Sequence, residues 1–388
     1  MAAARNRKVV LRKDLSGAVR SGHPWIYRDA LRSLGEPAPG EIVEVADTRG
    51  DFLARGYADP DSPIAVRVLT LEADEPVDDT LVGRRVAEAV ALRARIIDAQ
   101  TTDAYRLCNG EGDFLPGVVC DLYAGVHVLQ FDGAGARAFG QRVVRALAAR
   151  GPETIFERSR EGGALLAGAP PPAEIVIREH GMRLAVDVQR GQKTGLFLDQ
   201  RENRRLVGTF SRGKSVLNCF SYTGGFSIAA ALGGAQHTIS VDTAAPALDA
   251  ARHNFGLNGL DPAAHTLVCE DAFAFLDRCA RRGEQFGLVV LDPPSFAPSA
   301  AALPRALRAY RDLNTLGLRC VEPGGVLATA SCSSHVTADQ FLEVLSEAAG
   351  RARRRVRVVA LRGPGPDHPV APGHPEGRYL KLVLGVVA

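Results

Sequence analysis

The C-terminal half of the chain alternates short apolar runs with amphipathic segments of helical length, and this alternation limits the fold more than any other feature. The apolar runs predict strands at 215–219, 237–241, 266–269, 287–291, 325–331 and 355–361. The segments around them predict helices at 199–210, 226–233, 245–257, 272–282, 303–319 and 337–350. Strands that alternate with helices pair in parallel, with helices covering both faces of the sheet. The pattern therefore predicts a doubly wound α/β domain that binds ligands at the carboxyl ends of its strands.

The first of these strands leads into a turn that suits an adenosine cofactor. Val216 and Leu217 precede the small residues of 221–225 (SYTGG), a helical run starts at Phe226, and the next strand ends on Asp242. Glycines let the backbone approach a ligand, a helix start offers free N–H groups, and a strand-end carboxylate can bind a ribose. Neither GxGxxG nor GxxxxGK[ST] occurs. The phosphate-free S-adenosylmethionine (SAM) therefore suits the turn better than a dinucleotide does.

A second strand carries an aspartate to the same predicted edge of the sheet. The run LVVL ends on Asp292, and Pro293 and Pro294 follow directly. A loop stiffened by two prolines can present a carboxylate to a flat polar heterocycle, on which Phe296 could stack. A turn cap is the structural alternative for Asp292. An Asp-Pro-Pro sequence after so hydrophobic a strand favours the functional interpretation.

A third strand ends on a cysteine between hydroxyl residues. Cys332 lies in the segment ASCSS, after the apolar run that begins at Val326. A thiolate at the binding edge of the sheet could act as a covalent nucleophile. A buried small residue is the structural alternative, since most free cysteines are of that kind. The sequence alone leaves both interpretations open.

Charge is unevenly distributed along the 388 residues. Residues 1–35 hold eight basic and two acidic side chains, a net charge of +6, whereas the whole chain carries +3. A basic N-terminal module on an otherwise slightly acidic protein predicts a polyanionic partner, because phosphates bind arginine and lysine. A solvated basic surface is the alternative.

The composition argues against membrane, secreted and metal-binding classes. No apolar run is long enough to span a bilayer, and no secretory signal precedes the basic N-terminal segment. The seven cysteines lack CxxC or zinc-type spacing, and His368 and His374 lie in a proline-rich turn without a nearby cysteine. We therefore expect a reduced, cytoplasmic protein with neither a metal nor a membrane partner.

The N-terminal half predicts smaller elements. Short strands at 41–46, 52–57 and 64–69 indicate a β-rich domain, and strands near 117–122 and 126–131 precede a helix near 138–150. A helix is predicted at 79–100. Its expected buried residues are Leu81, Val86, Val90, Leu92, Ile96 and Ile97. The Gly/Ala/Pro-rich segment 162–172 predicts a mobile loop.

Together these segments resemble the bacterial 23S rRNA cytosine-C5 methyltransferase I family, SAM-dependent class I enzymes, over essentially the whole chain. SGHPWIYRDAL and IAVRVL resemble the family's N-terminal PUA-type RNA-binding module, and EGDFLPGVVCDLY and IFERS resemble its small central α/β domain. Its catalytic domain is matched by KTGLFLDQRENR, LNCFSYTGGFS, SVDT, VVLDPPSF, ASCSS and HPVAPGHPEGRYLK. The resemblance implies a β-rich PUA-type domain at 1–74, a small α/β domain at 75–184 and a Rossmann-like SAM methyltransferase domain at 185–388.

The resemblance also implies a reaction and its residues. Cys332 would attack C6 of a cytosine so that C5 accepts the methyl group from SAM, and Asp292 would hold the N3/N4 edge of the base. A flipped or unpaired nucleotide of 23S rRNA, free or in a large-subunit particle, is the expected substrate. Besides Asp292, the implied cofactor contacts are Asn218, Phe220, Tyr222, Thr223, Gly224, Asp242 for the ribose, Asp271 for the adenine, and Thr194 and Gln200 for the methionine end.

Several alternatives stay open. Many RNA cytosine-C5 enzymes have a second cysteine after the proline of the aspartate loop, but this loop has none, so Asp292, Lys193 or a water could accept the C5 proton. A SAM-dependent purine N-methyltransferase would need no thiol, and Cys332 would then only pack. A non-catalytic RNA-binding or ribosome-assembly protein is the alternative of another class. The sequence decides neither the target nucleotide nor whether the protein is a monomer or a homodimer.

Overall fold

We describe the fold from a computed structural model, which covers residues 6–159, 162–191 and 193–388. Arg5, counted above in the basic N-terminal segment, lies outside these residues. The chain forms two compact units. The first consists of Met1–Ile175, Val186–Leu196 and Pro366–Gly377, and the second of Val176–Ala185, Phe197–Gly365 and Arg378–Ala388. The three-domain boundaries expected from the sequence stay a prediction.

The described residues contain α-helices and strands in the following chain order. The helices are α1 Ser16–Arg20, α2 Asp79–Ile96, α3 Ala134–Ala148, α4 Arg201–Thr209, α5 Gly225–Leu232, α6 Ala245–Leu257, α7 Ala272–Arg282, α8 Leu303–Arg319 and α9 Ala338–Ala352. The strands are β1 Arg7–Val10, β2 Trp25–Tyr27, β3 Ile42–Ala46, β4 Phe52–Ala58, β5 Ile64–Thr70, β6 Ala104–Asn109, β7 Val118–Tyr123, β8 Val126–Phe131, β9 Thr154–Ser159, β10 Gly162–Gly168, β11 Ile175–Glu179, β12 Met182–Val186, β13 Ser215–Cys219, β14 His237–Asp242, β15 Thr266–Cys269, β16 Phe286–Leu291, β17 Val321–Ser331, β18 Val356–Arg362 and β19 Lys381–Val387. Among the described helices, none combines the length and the apolar character that crossing a membrane requires.

The first unit contains two five-stranded sheets. One has the order β1-β3-β4-β5-β2 and the other the order β10-β9-β8-β7-β6. The first sheet also contributes to the core beneath α2 and α3, where Tyr57 stacks on Phe139 at 4.7 Å and its hydroxyl donates to the Pro116 carbonyl. The β-rich N-terminal sheet that the turn residues predicted is therefore confirmed.

Two sequence predictions for this unit are wrong. Within the segment 162–172, predicted as a mobile loop, residues Gly162–Gly168 form β10, which pairs antiparallel with β9. Its glycines serve packing, because a Cβ on Gly163 would lie 2.0 Å from the Phe156 ring. Helix α2 ends at Ile96 rather than at 100, and Val90, Leu92, Ile96 and Ile97 are only half-buried. Arg93 is buried in their place, where its guanidinium is paired with the Asp113 carboxylate at 2.6 Å.

The second unit is built on a seven-stranded sheet of order β15-β14-β13-β16-β17-β19-β18. The first five strands of that order are parallel, and β19 runs antiparallel between β17 and β18. Helix residues pack on both faces of the sheet. The strands and helices predicted from residue 199 onward are confirmed, with ends that move by a few residues. The order of strands reverses at β13, which has β14 on one side and β16 on the other, and such a reversal opens a crevice for ligands.

Candidate active site

Most of the functional residues predicted from the sequence lie at the carboxyl edge of the seven-stranded sheet; Thr194 and Lys193 belong to the first unit instead. The loops after β13, β14 and β15 form one half of this edge, which we call the cofactor half. The loops after β16 and β17 form the other half, which we call the reactive half. Neighbouring parallel strands place their following loops side by side, so residues distant in sequence become neighbours.

The cofactor half centres on a turn with unusual backbone conformations. Phe220, Tyr222 and Gly224 have φ values of 61°, 47° and 81°. Residues other than glycine rarely adopt this left-handed backbone conformation. Asp242 holds this turn. One of its carboxylate oxygens accepts a hydrogen bond from the Tyr222 N–H at 2.8 Å, and the other accepts one from the Ala244 N–H at 2.9 Å. The carboxylate therefore couples the end of β14 to the turn after β13.

Polar atoms below and within this turn fit a bound cofactor. Asn218 is fully buried, and its amide donates to Ser227 Oγ at 2.9 Å, which lies 2.7 Å from Ser240 Oγ. The Asn218 Oδ1 and Ser221 Oγ atoms are buried without a hydrogen-bond partner among the described residues. Buried polar atoms without a partner are costly, so these two acceptors indicate a polar ligand or water at the turn. The residues present thus fit a nucleoside such as that of SAM.

The remaining predicted cofactor residues lie around the turn. The Thr223 carbonyl accepts from the Asn254 amide at 3.1 Å. Asp271 is exposed and caps α7 by accepting a hydrogen bond from the Ala274 N–H at 3.0 Å. The Phe220 ring lies edge-on to Phe273, with centroids 6.5 Å apart. Sequence reasoning missed Phe273, which stands two residues after Asp271 and offers an apolar surface beside the expected adenine position.

In the reactive half, Asp292 is hydrogen-bonded by Gln200, a residue that the sequence analysis assigned to the cofactor. The Gln200 side chain is buried, and its amide donates to Asp292 Oδ1 at 2.9 Å while its oxygen accepts from Asn203 at 2.6 Å. Gln200 was predicted to contact the methionine end of the cofactor, and that contact stays a prediction. The structure gives this glutamine a carboxylate-orienting role that its position in the sequence did not reveal.

Cys332 lies beside the same aspartate loop. Its Sγ is 3.9 Å from the carbonyl oxygen of Pro293, the residue after Asp292, and its side chain is partly exposed. The two predicted catalytic residues therefore belong to adjacent loops that touch.

A hydroxyl network joins these two loops, and in it Ser333 and Tyr310 are buried whereas Ser295 is exposed. Ser333 Oγ lies 3.0 Å from both Ser295 Oγ and the Tyr310 hydroxyl, and it accepts from the Ala297 N–H at 3.3 Å. Burial raises the pKa of the Tyr310 hydroxyl, so this group stays protonated. Sequence reasoning missed this network. Its one visible signal is Tyr310, a tyrosine on the buried face of α8.

A buried lysine completes the reactive half. Lys381 starts β19 opposite Ser331 of β17, and its Nζ donates to the Ser333 carbonyl at 2.6 Å and to the Tyr379 carbonyl at 2.9 Å. Burial lowers the pKa of Lys381 to about 8, and the negative charge of Cys332 in its thiolate form would oppose that fall. A lysine at the start of the apolar strand KLVLGVV was the signal in the sequence for this position.

The other cysteines differ sharply from Cys332. Burial raises the pKa of five of them, which makes their reactive thiolate forms scarce: Cys108, Cys120, Cys219, Cys279 and Cys320. Cys269 is exposed at the end of the outer strand β15. Among the described residues, Cys332 is therefore the cysteine that combines partial exposure with a place beside Asp292.

Two residues singled out in the sequence belong to the first unit. The Thr194 hydroxyl donates to Asp121 and lies 2.8 Å from the Tyr123 hydroxyl, and the Lys193 carbonyl accepts from Gln130. Their roles toward cofactor and substrate stay predictions. Within the described ranges, no group of three or more His, Cys, Asp or Glu side chains is arranged to hold a metal ion.

Comparison with known proteins identifies the family of the chain. The profile of the S-adenosylmethionine-dependent methyltransferase family matches residues 148–373, and that of the PUA-like domain matches residues 9–71. The chain is 40% identical to ribosomal RNA large subunit methyltransferase I of Erwinia tasmaniensis, over 96% of this chain and 98% of the relative. It is 38% identical to the protein of that name from Alteromonas mediterranea, over 96% of this chain and 97% of the relative.

The solved structures show the same architecture. A protein from Streptococcus mutans described as a SAM-dependent methyltransferase superposes with a TM-score of 0.87 at 25% identity, covering 98% of this chain and 100% of its own. A methyltransferase structure complexed with SAH superposes with the same TM-score at 24% identity, covering 99% of this chain and 100% of its own. At this identity the similarity establishes the fold and nothing more. The chain thus belongs to the S-adenosylmethionine-dependent methyltransferases with a PUA-like domain, in the family of the proteins named ribosomal RNA large subunit methyltransferase I.

Proposed function

We propose that this chain methylates C5 of a cytosine in the RNA of the large ribosomal subunit through a covalent adduct of Cys332. One observation carries the proposal. A partly exposed cysteine lies at the end of β17 with its sulfur 3.9 Å from the loop that presents Asp292. Methylation of a base nitrogen needs no nucleophilic thiol, whereas C5 of cytosine is too weak a nucleophile without one.

SAM is the cofactor of this family, and when bound it supplies the methyl group on its sulfonium sulfur that an activated C5 accepts. In this chain the turn after β13 would hold it, with Asp242 accepting from the ribose hydroxyls. Phe220 and Phe273 would enclose the adenine, and the Asn218 and Ser221 oxygens would receive polar atoms or water. These assignments rest on the strand-end positions and on the buried acceptors of the cofactor half.

Cys332 would begin the reaction. Its thiolate forms a bond to C6, and the electron pair of the C5=C6 bond moves toward C5 and the N3–C4 part of the ring. Asp292, aligned by Gln200, would bind the N3/N4 edge and stabilise the proton that N3 gains. After C5 has gained the methyl group, a base removes the C5 proton. The C5=C6 bond then re-forms, the thiolate leaves, and N3 gives up the proton it had gained, so that neutral 5-methylcytosine results.

The proposed substrate follows from the relatives and from charge. The relatives are named as ribosomal RNA large subunit methyltransferases, and a PUA-like domain with a net charge of +6 in residues 1–35 suits a polyanion. We propose 23S rRNA, free or in a large-subunit particle, as the substrate, and the cytoplasm as the compartment. The target base must leave its stack to reach the edge of the sheet.

A covalent trap tests this proposal. The protein and SAM are incubated with large-subunit RNA containing 5-fluorocytosine, and adducts are detected on denaturing gels. Fluorine at C5 cannot leave as a proton, so a C5 enzyme stalls as a linked protein–RNA complex. We expect an adduct with the wild type and with Cys269→Ala, the control at the exposed cysteine of β15, and none with Cys332→Ala.

The possible outcomes separate the alternatives. Methyl transfer to ordinary RNA by Cys332→Ala, without any adduct in the wild type, would contradict the C5 mechanism and favour N-methylation of a purine. RNA binding without methyl transfer by the wild type would favour a non-catalytic RNA-binding protein.

A further inference from the structure

The outer strand of the catalytic sheet leaves one edge open. Strand β18 is the last in the order of the seven-stranded sheet and, within residues 6–159, 162–191 and 193–388, pairs only with β19. An unpaired strand edge is a ready site for contact with another molecule. The chain just before and along this strand differs in composition from the rest of the protein.

Positive charge is concentrated there. Residues 351–362 (RARRRVRVVALR) contain six arginines and no acidic residue, whereas the whole chain carries a net charge of only +3. This short segment and residues 1–35 are thus two separate basic regions on a protein that is otherwise acidic. A cluster of one sign raises the local concentration of the opposite charge.

Of these six arginines, two have side chains with a partner in the described part of the protein. Arg351 pairs with Asp312 at 3.2 Å, and Arg354 donates to the Val321 carbonyl. The other four are exposed and have no ion-pair partner among the described residues; they are Arg353, Arg355, Arg357 and Arg362. We call these four residues, with the exposed β18 side chains between them, the arginine edge.

Apolar side chains lie between the arginines. Val358, Val359 and Leu361 are 48%, 51% and 46% exposed, which is high for large apolar residues. The pairing of β18 with β19 shifts register between Val358 and Ala360, so Val359 forms a bulge. Bulges and like charges on an outer strand oppose edge-to-edge pairing with a second copy of the chain.

We propose that the arginine edge binds the phosphate backbone of the RNA substrate, outside the catalytic centre, with its apolar side chains against sugars and bases. This inference rests on the proposed function only in taking RNA as the substrate. Charge decides the occupant, because four guanidinium groups that have no ion-pair partner in the described part of the chain repel another copy of this edge and attract a polyanion.

The test measures RNA affinity and its salt dependence with the full chain. A fluorescein-labelled fragment of 23S rRNA is titrated with the wild type and with the variant Arg353→Gln/Arg355→Gln/Arg357→Gln/Arg362→Gln. The matched control removes four exposed arginines elsewhere in the second unit, in the variant Arg205→Gln/Arg212→Gln/Arg252→Gln/Arg282→Gln. We expect the first variant to bind about 10- to 100-fold more weakly at roughly 0.1 M salt, with a log–log salt slope smaller by about 2 to 4.

Equal affinities and salt slopes for the two variants would overturn the inference. So would binding of the wild type to phosphatidylserine vesicles that the first variant loses while its RNA affinity is unchanged, because the edge would then serve a lipid surface. A change from dimer to monomer in the first variant alone, at unchanged RNA affinity, would assign the edge to a second copy. The charge reversal Arg357→Glu gives a second variant, with thermal melting to verify the fold.

Methyl transfer measured in parallel separates this inference from the proposed function. A wild type that binds RNA through the arginine edge but leaves every cytosine C5 unmethylated would sink only the proposed reaction. A wild type that methylates RNA with no dependence on these arginines would sink only the inference.

Discussion

The two halves of the sheet edge hold their residues by different means. In the cofactor half, three residues of the turn after β13 have left-handed backbone conformations, and one carboxylate, Asp242, receives two backbone N–H groups. In the reactive half, side chains from separate elements bond to one another, as Gln200 does to Asp292 and Tyr310 to Ser333. The turn of the cofactor half is thus shaped by its backbone, with the Asn218, Ser227 and Ser240 side chains bonded beneath it, whereas the reactive loops are joined by long-range side-chain contacts.

This difference indicates a division of labour. A backbone turn with exposed N–H groups suits a cofactor of constant shape, which the chain meets in every cycle. Side-chain networks align individual reactive atoms, and their hydrogen bonds hold a nucleophile and a carboxylate in fixed relation. Substitutions in the two halves should therefore change different measured quantities.

The largest effect is expected from Asp292→Asn. The amide cannot stabilise a protonated N3 as a carboxylate does, so the rate of methyl transfer should fall by about 10²- to 10⁴-fold. Single-turnover assays with radiolabelled SAM measure that rate, and calorimetry measures SAM affinity. Asp292 was also assigned among the cofactor contacts, so a loss of SAM affinity as large as the loss of rate would move it to the cofactor half.

Asp242→Asn should change SAM affinity instead. Replacing a carboxylate that accepts two N–H bonds removes hydrogen bonds to a charged group, each contributing about 1.5–3 kcal/mol. We expect the Kd for SAM to rise about 10-fold or more, with the rate at saturating SAM little changed. Asp249→Asn, at an exposed carboxylate of α6, is the control. A fall in the methylation rate at saturating SAM, with an unchanged Kd for SAM, would contradict the assignment of Asp242 to cofactor binding alone.

Ser333→Ala tests whether the hydroxyl network aligns the two reactive loops. The change leaves the Ala297 N–H, Ser295 and Tyr310 without their shared partner. We expect the methylation rate to fall about 10-fold and the free energy of unfolding to fall by about 1–3 kcal/mol, with SAM affinity retained. Tyr310→Phe should act in the same direction but less, and the double variant should lose less than the sum of the two. Strict additivity would show that the network does not act as a unit.

The smallest effect concerns pH. Because burial lowers the pKa of Lys381 from 10.5 to about 8, the folded state releases this proton before the unfolded state does. The unfolded state then binds more protons, so this lysine makes the free energy of unfolding rise as pH rises above about 8. Between pH 7 and 9 the wild type should gain about 1 kcal/mol relative to Lys381→Met in denaturant titrations. A constant difference between the two proteins would show that the Lys381 pKa is not lowered.

Much of the second unit could be predicted from its sequence. Apolar periodicity located β13, β14, β15 and β16 within about a residue, since buried strands and amphipathic helices impose their own repeats on nearby positions. Residue types at strand ends picked out Asp242, Asp292 and Cys332 for the same local reason. The loop prediction failed because the pairing of β9 with β10 places Gly163 against the Phe156 ring, which gives this glycine a packing role that composition does not show.

The sequence by itself therefore determined the doubly wound sheet, the SAM-type turn and the cysteine and aspartate at neighbouring strand ends. Only the tertiary structure decided that Gln200 orients Asp292, that Ser333 joins the two reactive loops through Ser295 and Tyr310, and that Lys381 lies beneath them. The physical reason is that strand order and register place these groups within hydrogen-bond distance. Both are set by packing between segments far apart in the chain, which no local pattern records.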